Sequence, residues 1–235
     1  MWHAALVHDA GHGSVRGRVR SVNVGMPLTV PHGASTLLTA ISKSPVVGPV
    51  ALSRLGLEGD GQADKRAHGG PERAAYAYRW EDYGWWMDRL GRGLEPGRLG
   101  ENLTLEGFGD LPVHLGDRFR IGGALVEATS PRIPCVKLGV RMGDPDFPRR
   151  FREAGRSGFY LRVIEEGVIG AGDAWERVQH RPEMPDVEAM AALQHSGGHD
   201  LELLGQVVEA EPATEEWRDW ARARLARRAA GTATA

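Results

Sequence analysis

The stretch Asp117-Arg118-Phe119-Arg120-Ile121-Gly122-Gly123-Ala124-Leu125-Val126-Glu127-Ala128 carries the pattern that decides the fold. Two short runs with strand character, Asp117–Ile121 and Ala124–Ala128, are joined by Gly122-Gly123, a two-residue hairpin signal. The second run delivers the chain to Ser130-Pro131-Arg132-Ile133-Pro134-Cys135-Val136-Lys137-Leu138, which holds the single cysteine of the 235 residues. Its prolines fix the backbone and withhold N–H donors, so a stiff turn is expected there rather than a strand interior. Arg132 and Lys137 flank the thiol, and nearby cations favour thiolate, the form that attacks or binds metal. The opposite reading is equally open from this pattern, because lone cysteines are commonly buried and inert.

Further strands are expected on both sides of the hairpin. Arg18 to Val24 alternates with period two, and Thr36–Lys43 and Gly48–Leu55 read as short strands. A strand at Ala74–Tyr78 leads into a helix over Glu81–Leu90, whose tryptophans are assigned to packing. Beyond Cys135 come a helix over Asp146–Ala154 and strands at Phe159–Ile164 and near Trp175–Gln179. The period then changes, and three short helices follow, near Val187–Leu193, near Leu201–Val208 and from Thr214 towards Arg227. The expected fold is mainly β with α: a β-barrel domain at 16–180 and a three-helix unit at 181–228. A flexible extension at 1–15 and a disordered tail at 229–235 complete the division.

Composition narrows the function. A net charge of −2 gives no basic field, so nucleic acid is not expected as a partner. One cysteine excludes an intramolecular disulfide framework and fits a reducing cytosol, so a cytoplasmic protein is expected. No apolar run is long enough to span a bilayer, and Met1–Val7 is too short for a secretory core. The polar loop Leu57-Glu58-Gly59-Asp60-Gly61-Gln62-Ala63-Asp64-Lys65-Arg66-Ala67-His68-Gly69-Gly70-Pro71 is too glycine-rich to be core. Its charged groups beside flexible backbone suit a polar or anionic ligand, and a solvated surface loop is the alternative.

Taken together, Lys43-Ser44-Pro45, Gly59-Asp60-Gly61-Gln62-Ala63-Asp64, His68-Gly69-Gly70, Gly100-Glu101-Asn102-Leu103-Thr104, Gly116-Asp117, Pro131 to Cys135 and Gly158 to Val163 resemble a MOSC domain. The helical tail, at Asp200 to Leu204 and Trp217-Arg218-Asp219-Trp220, resembles the unit that follows MOSC in the YiiM-like branch. The resemblance implies a barrel that holds a molybdenum cofactor (molybdopterin), with Cys135 as the metal ligand. It also implies a pocket drawn from Lys65, Arg66, His68, Gly69, Gly70, Asn102, Arg132 and Lys137. Glycine backbone there approaches the pterin where a side chain would collide. The implied chemistry is reduction of N-hydroxylated base analogues to amines, with molybdenum passing from Mo(IV) to Mo(VI).

A separate flavoprotein reductase is the expected electron donor, because no dinucleotide fingerprint or iron–sulfur cysteine set is present. His68 and, less well placed, Asp60 are proton-donor candidates, each with a structural hydrogen bond as its alternative. A cofactor-binding or carrier module without turnover is the competing function. A homodimer is compatible with the sequence.

Overall fold

The computed structural model describes residues 15–63 and 69–232. The chain begins with β1 (Arg16–Val24) and a β2–β3 hairpin (Leu28–His32, Ser35–Thr39). The short strands β4 (Ser44–Pro45), β5 (Val50–Ser53) and β6 (Gly56–Leu57) follow. Next come β7 (Ala75–Arg79), α1 (Trp80–Leu90), β8 (Leu103–Glu106), β9 (Arg118–Ile121) and β10 (Ala124–Pro131). Helices α2 (Val136–Met142) and α3 (Phe147–Glu153) precede β11 (Phe159–Glu165), β12 (Gly167–Ile169) and β13 (Ala174–Gln179). Helices α4 (Val187–His195), α5 (Leu201–Glu209) and α6 (Glu215–Thr232) end the chain.

Seven strands form a closed barrel, in the order β13-β9-β10-β11-β7-β8-β1, with β13 pairing back onto β1. The Gly122-Gly123 hairpin is present, pairing Ala124 with Ile121 and Val126 with Phe119. Only β7 and β8 run parallel within the barrel, and a parallel pair needs a long crossover. Helix α1 and the 91–102 segment supply it. Helix and strand contents are nearly equal, at about 29% and 31%.

Strand β7 shows how the sequence builds two cores from one element. All five residues of Ala75-Tyr76-Ala77-Tyr78-Arg79 are buried. Side chains alternate across a strand, so the two small alanines point into the barrel and the two tyrosines point out of it. Inside, Phe108 and Trp175 stack at 4.0 Å beside Phe119 and Phe159. A Cβ on Gly17 would lie 2.0 Å from the Glu106 carbonyl and 2.6 Å from Trp175 Nε1. Glycine at this position therefore lets the indole donate to that carbonyl at 2.9 Å. Outside, Tyr76 and Tyr78 join Tyr83, Trp86, Leu138, Met142, Phe147 and Phe151 in a second core under α1, α2 and α3. Trp86 is packing, as expected, at 2% exposure against Phe151.

Three expectations are corrected. The 130–138 segment is not one turn: β10 continues through Ser130 to Pro131, and α2 starts at Val136. Pro131 is tolerated as the last strand residue, where a missing donor costs little. The 36–43 strand ends at Thr39, and its partner β2 was not legible because prolines at 27 and 31 break the local pattern. Helix α6 continues to Thr232, beyond the expected end near Arg227 and into the stretch assigned to a disordered tail.

The three terminal helices do not form a core of their own. Val187, Met190, Leu204, Val207 and Trp217 belong to the same buried cluster as the barrel interior. Asp117 fastens the junction: it accepts from Arg181 N at 2.7 Å and from His114 N at 3.1 Å, and pairs with Arg177 and His180. Among the described residues no helix is long and apolar enough to cross a membrane.

Candidate functional site

Cys135 owes its position to the two cores. Strand β10 leaves the barrel after Pro131 pairs with Phe159, and α2 begins five residues later, with Cys135 at its N-cap position. Leu138 and Met142 sink α2 into the outer core, and Gly143 ends it in the left-handed conformation at φ 68°. The half-buried thiol thus stands at the seam between barrel and outer helices.

It opens on a cleft lined by Lys43, Asp60, Asn102, Arg132, Cys135 and Lys137, with Tyr76 and Tyr160 on its wall. Arg132 is 6% exposed, and its guanidinium lies 5.4 Å from the Tyr76 ring centroid and 5.5 Å from that of Phe151. Burial opposes its charge, but Tyr76, Tyr160 and Cys135 outweigh that effect, and its pKa ends above the ordinary arginine value. Burial likewise raises the Tyr76 and Tyr160 pKa values, so both phenols stay neutral at ordinary pH. Nη1 of Arg132 is buried without a hydrogen-bond partner among the described residues. Such an orphaned donor costs free energy unless an acceptor meets it.

Asp60 is placed as an anchor. Its Oδ1 accepts from the Lys43 ammonium and from Gly25 N at 2.8 Å, and its Oδ2 accepts from Asn102 Nδ2 at 2.9 Å. Three donors thus hold this carboxylate in place. Asn102 is equally committed: Oδ1 accepts from Tyr76 N at 3.0 Å, tying the loop to β7. Burial lowers the Lys43 pKa, with the Asp60 charge and hydrogen bond and the Glu101 charge opposing it. Glu101 itself does not reach the cleft. It is fully buried behind it, accepting from Tyr83, Gly97 N and Thr104, and burial raises its pKa.

The sequence-derived residues divide cleanly. Cys135, Arg132, Lys137, Asn102 and Asp60 come together around one cleft. Gly69 and Gly70 do not line it. A Cβ on Gly69 would lie 2.2 Å from Gln62 Oε1, and Gly70 N donates to that same oxygen at 3.0 Å, so these glycines seat Gln62, which does line the cleft. Lys65, Arg66 and His68 lie outside the described residues. Lys43, Arg73, Tyr76 and Tyr160 also line the cleft and were not assigned from sequence. Lys43 and Tyr160 stood within quoted motifs, whereas Arg73 carried no signal. Gly100, at φ +88° with a Cβ position 2.6 Å from Ile41, closes the cleft where a larger residue would not fit.

The donor set suits an anionic, soft-metal cofactor: one thiol, one buried guanidinium whose Nη1 has no partner among the described residues, and two lysines. Residues 64–176 match the MOSC domain model. The Bacillus subtilis protein YflK is 34% identical over 200 residues, covering 85% of this chain and 90% of YflK. Escherichia coli YiiM is 34% identical over 182 residues, covering 76% of this chain and 81% of YiiM. A Gibberella moniliformis protein named Reductase is 32% identical over 195 residues, which are 80% of this chain but 34% of that longer protein. The crystal structure of YiiM from Geobacillus stearothermophilus superposes with a TM-score of 0.74 at 31% identity, covering 88% of this chain and 98% of that one. That of Escherichia coli YiiM gives a TM-score of 0.70 at 26% identity, covering 91% and 92%. With its closed barrel, its cysteine-bearing cleft and its three terminal helices, the chain belongs to the MOSC-domain family, in the YiiM-like branch.

Proposed function

We propose that the chain is a molybdenum-cofactor-dependent reductase of N-hydroxylated compounds, with Cys135 as the protein's ligand to the metal. The observation that carries this reading is the meeting, in one cleft, of the thiol and the Arg132 guanidinium, whose Nη1 has no partner among the described residues. A thiolate is a soft ligand suited to such a metal, and Arg132 and Lys137 suit the phosphate of a pterin by charge-assisted hydrogen bonds. When bound, the cofactor supplies a two-electron change coupled to removal of oxygen from nitrogen. The relative named Reductase supports the direction of the chemistry.

The chain's own share is binding, orientation and protons. The net reaction, R–NHOH + 2 H⁺ + 2 e⁻ → R–NH₂ + H₂O, breaks the N–O bond and consumes two protons. Lys43 is the described cleft residue whose acidity burial increases, and its ammonium can supply one of them. His68 keeps its place as the imidazole candidate on sequence grounds. The electrons come from a separate flavoprotein reductase. Elemental analysis of protein from a cofactor-competent host tests the reading, with native protein beside Cys135→Ser. Stoichiometric molybdenum in the native protein and its loss in the variant are expected, followed by reductase-dependent turnover of a hydroxylamine. Metal without turnover supports a carrier; no metal in either protein overturns the proposal.

A further inference from the structure

Three side chains with metal-ligand chemistry meet where the barrel joins the terminal helices: His114, Asp117 and His180, none of which lines the Cys135 cleft. One ligand atom from each lies within 4.8 Å of the other two. The backbone sets this up. The turn from His114 to Asp117 closes with Asp117 N donating to His114 O at 3.1 Å, and Gly116 takes φ +78° within it. A Cβ on Gly116 would lie 2.8 Å from Pro212 and 2.9 Å from Arg181, so glycine lets the turn sit close against both. Leu115 is fully buried and its N–H donates to Pro185 O at 3.0 Å, while His114 bridges to Asp186 at the start of α4. Asp117 stands just before β9, and His180 directly follows β13.

His114 Nδ1 is buried and has no hydrogen-bond partner among the described residues. A ring nitrogen left unsatisfied costs free energy, and a cation in the cluster would use its lone pair. His180 Nδ1 lies 3.0 Å from Asp117 Oδ1, which also accepts from Arg181 N at 2.7 Å. A carboxylate oxygen has two lone pairs, so a metal taking the place of the imidazole proton leaves the bond to Arg181 intact. We infer that His114, Asp117 and His180 bind a divalent first-row transition ion of the zinc type. Two imidazoles and one carboxylate are the nitrogen–oxygen set such ions take, whereas calcium and magnesium call for oxygen alone. Tetrahedral zinc spaces its ligand atoms about 3.4 Å apart, so at most about 1.4 Å of closure is needed from the 4.8 Å limit. The His180 side chain, at 37% exposure, has room to turn and gives the ion a way in. Arg177 opposes the ion's charge, but it stands 3.4 Å from Oδ2 rather than Oδ1 and is held by Pro112 O at 3.0 Å. The Arg181 guanidinium is matched by Glu183 at 2.9 Å. The bound ion clips the turn before β9 to the residue after β13, at the junction that Asp117 otherwise holds by hydrogen bonds and ion pairs.

The test uses the full-length chain carrying Cys135→Ser, His3→Ala, His8→Ala and His12→Ala, so that neither the thiol nor the leading histidines take up metal. After dialysis against EDTA, zinc is titrated by calorimetry and cobalt(II) by visible absorption, and the thermal midpoint is read with and without zinc. One ion per chain is expected, with the visible bands of four-coordinate cobalt. Zinc at about a hundredfold over its Kd should raise the midpoint by about 5–10 °C. His114→Gln and His180→Gln should each weaken zinc at least about tenfold and remove that rise. Glutamine at 180 can still donate to Asp117, so the zinc-free midpoint of His180→Gln should match its parent's, which separates loss of a ligand from damage to the junction. No zinc uptake, or uptake unchanged in both variants and so an adventitious ion only, overturns the site. A zinc-free midpoint that falls in His180→Gln while zinc affinity holds would assign the cluster to hydrogen bonding alone.

Discussion

The Lys43 ammonium closes on the Asp60 carboxylate beneath the cleft, their side chains 8% and 5% exposed. Removing one partner of a buried pair strands the other charge, at a cost of about 3–5 kcal/mol. Asp60→Ala also releases Asn102, and through it the tie to Tyr76 N. It is expected to destabilise by about that amount in urea unfolding, while Lys43→Met with Asp60→Leu loses less than Asp60→Ala alone. A loss below about 1 kcal/mol in Asp60→Ala, the range of an exposed pair, would show that the pair is not an anchor.

Stability should respond to alkali in two opposed ways. The folded Lys43 pKa lies below 10.5, so between its folded value and 10.5 the unfolded chain holds a proton that the fold has lost. Stability from this group therefore rises with pH across that window. Burial raises Tyr76, Tyr78 and Tyr83 well above 10.0, and Tyr160 above it. Above pH 10 the unfolded chain gives up protons that the fold retains, and stability falls by up to about 1.4 kcal/mol per pH unit per tyrosine. Urea midpoints measured across pH 8.5 to 11.5 (roughly the span these groups titrate) should show the steep fall. Tyr78→Phe should flatten it by one proton while losing the bonds to Arg156 O and Trp86 Nε1. An unchanged slope in that variant would place Tyr78 outside the titrating set.

The barrel was legible because it rests on short-range signals. Gly122-Gly123 with flanking alternation is a hairpin by turn chemistry, and β7, β11 and α1 follow from period and composition. The cleft was legible where a motif residue both marks and lines it, as Cys135, Arg132, Asn102 and Asp60 do. Arg73 was not, because its place comes from the meeting of β11, the 71–73 turn and α6, which no local pattern encodes. Helix α2 was missed for a related reason. Two prolines in the nine residues 130–138 read as a turn, and burial of Leu138 and Met142 in the outer core overrides that local preference. The domain boundary near 180 follows a real change of period, yet period does not report which faces pack together.

Arg132 offers a direct probe of ligand recognition. Its guanidinium touches two aromatic rings, and its Nη1 lacks a described protein partner. Arg132→Met keeps most of the volume and removes the orphaned donor, so its stability should stay within about 1.5 kcal/mol of native, the range of a volume-conserving swap. Molybdenum content should nevertheless drop severalfold, and Arg132→Lys should recover little, because a point charge does not replace a planar fork. Full molybdenum in Arg132→Met would assign the residue to packing instead.

The terminal helices should fold and unfold with the barrel. Met190 and Leu204 are fully buried and Trp217 is 3% exposed in one cluster with Val126, Leu161 and Trp175, and Arg73 and Arg79 reach Glu216 and Glu188 across the same junction. A chain ended after Gln179 would expose the apolar ground on which α4 and α6 sit. It is expected to be insoluble or to lose fixed near-ultraviolet dichroism. In the full chain, Trp217→Ala should cost about 3–5 kcal/mol, as large-to-small core changes do. Tyrosine and tryptophan signals should report a single coincident unfolding transition. Two separate transitions, with the barrel surviving loss of the helices, would show that the tail is an independent unit and that the boundary near 180 divides two cores.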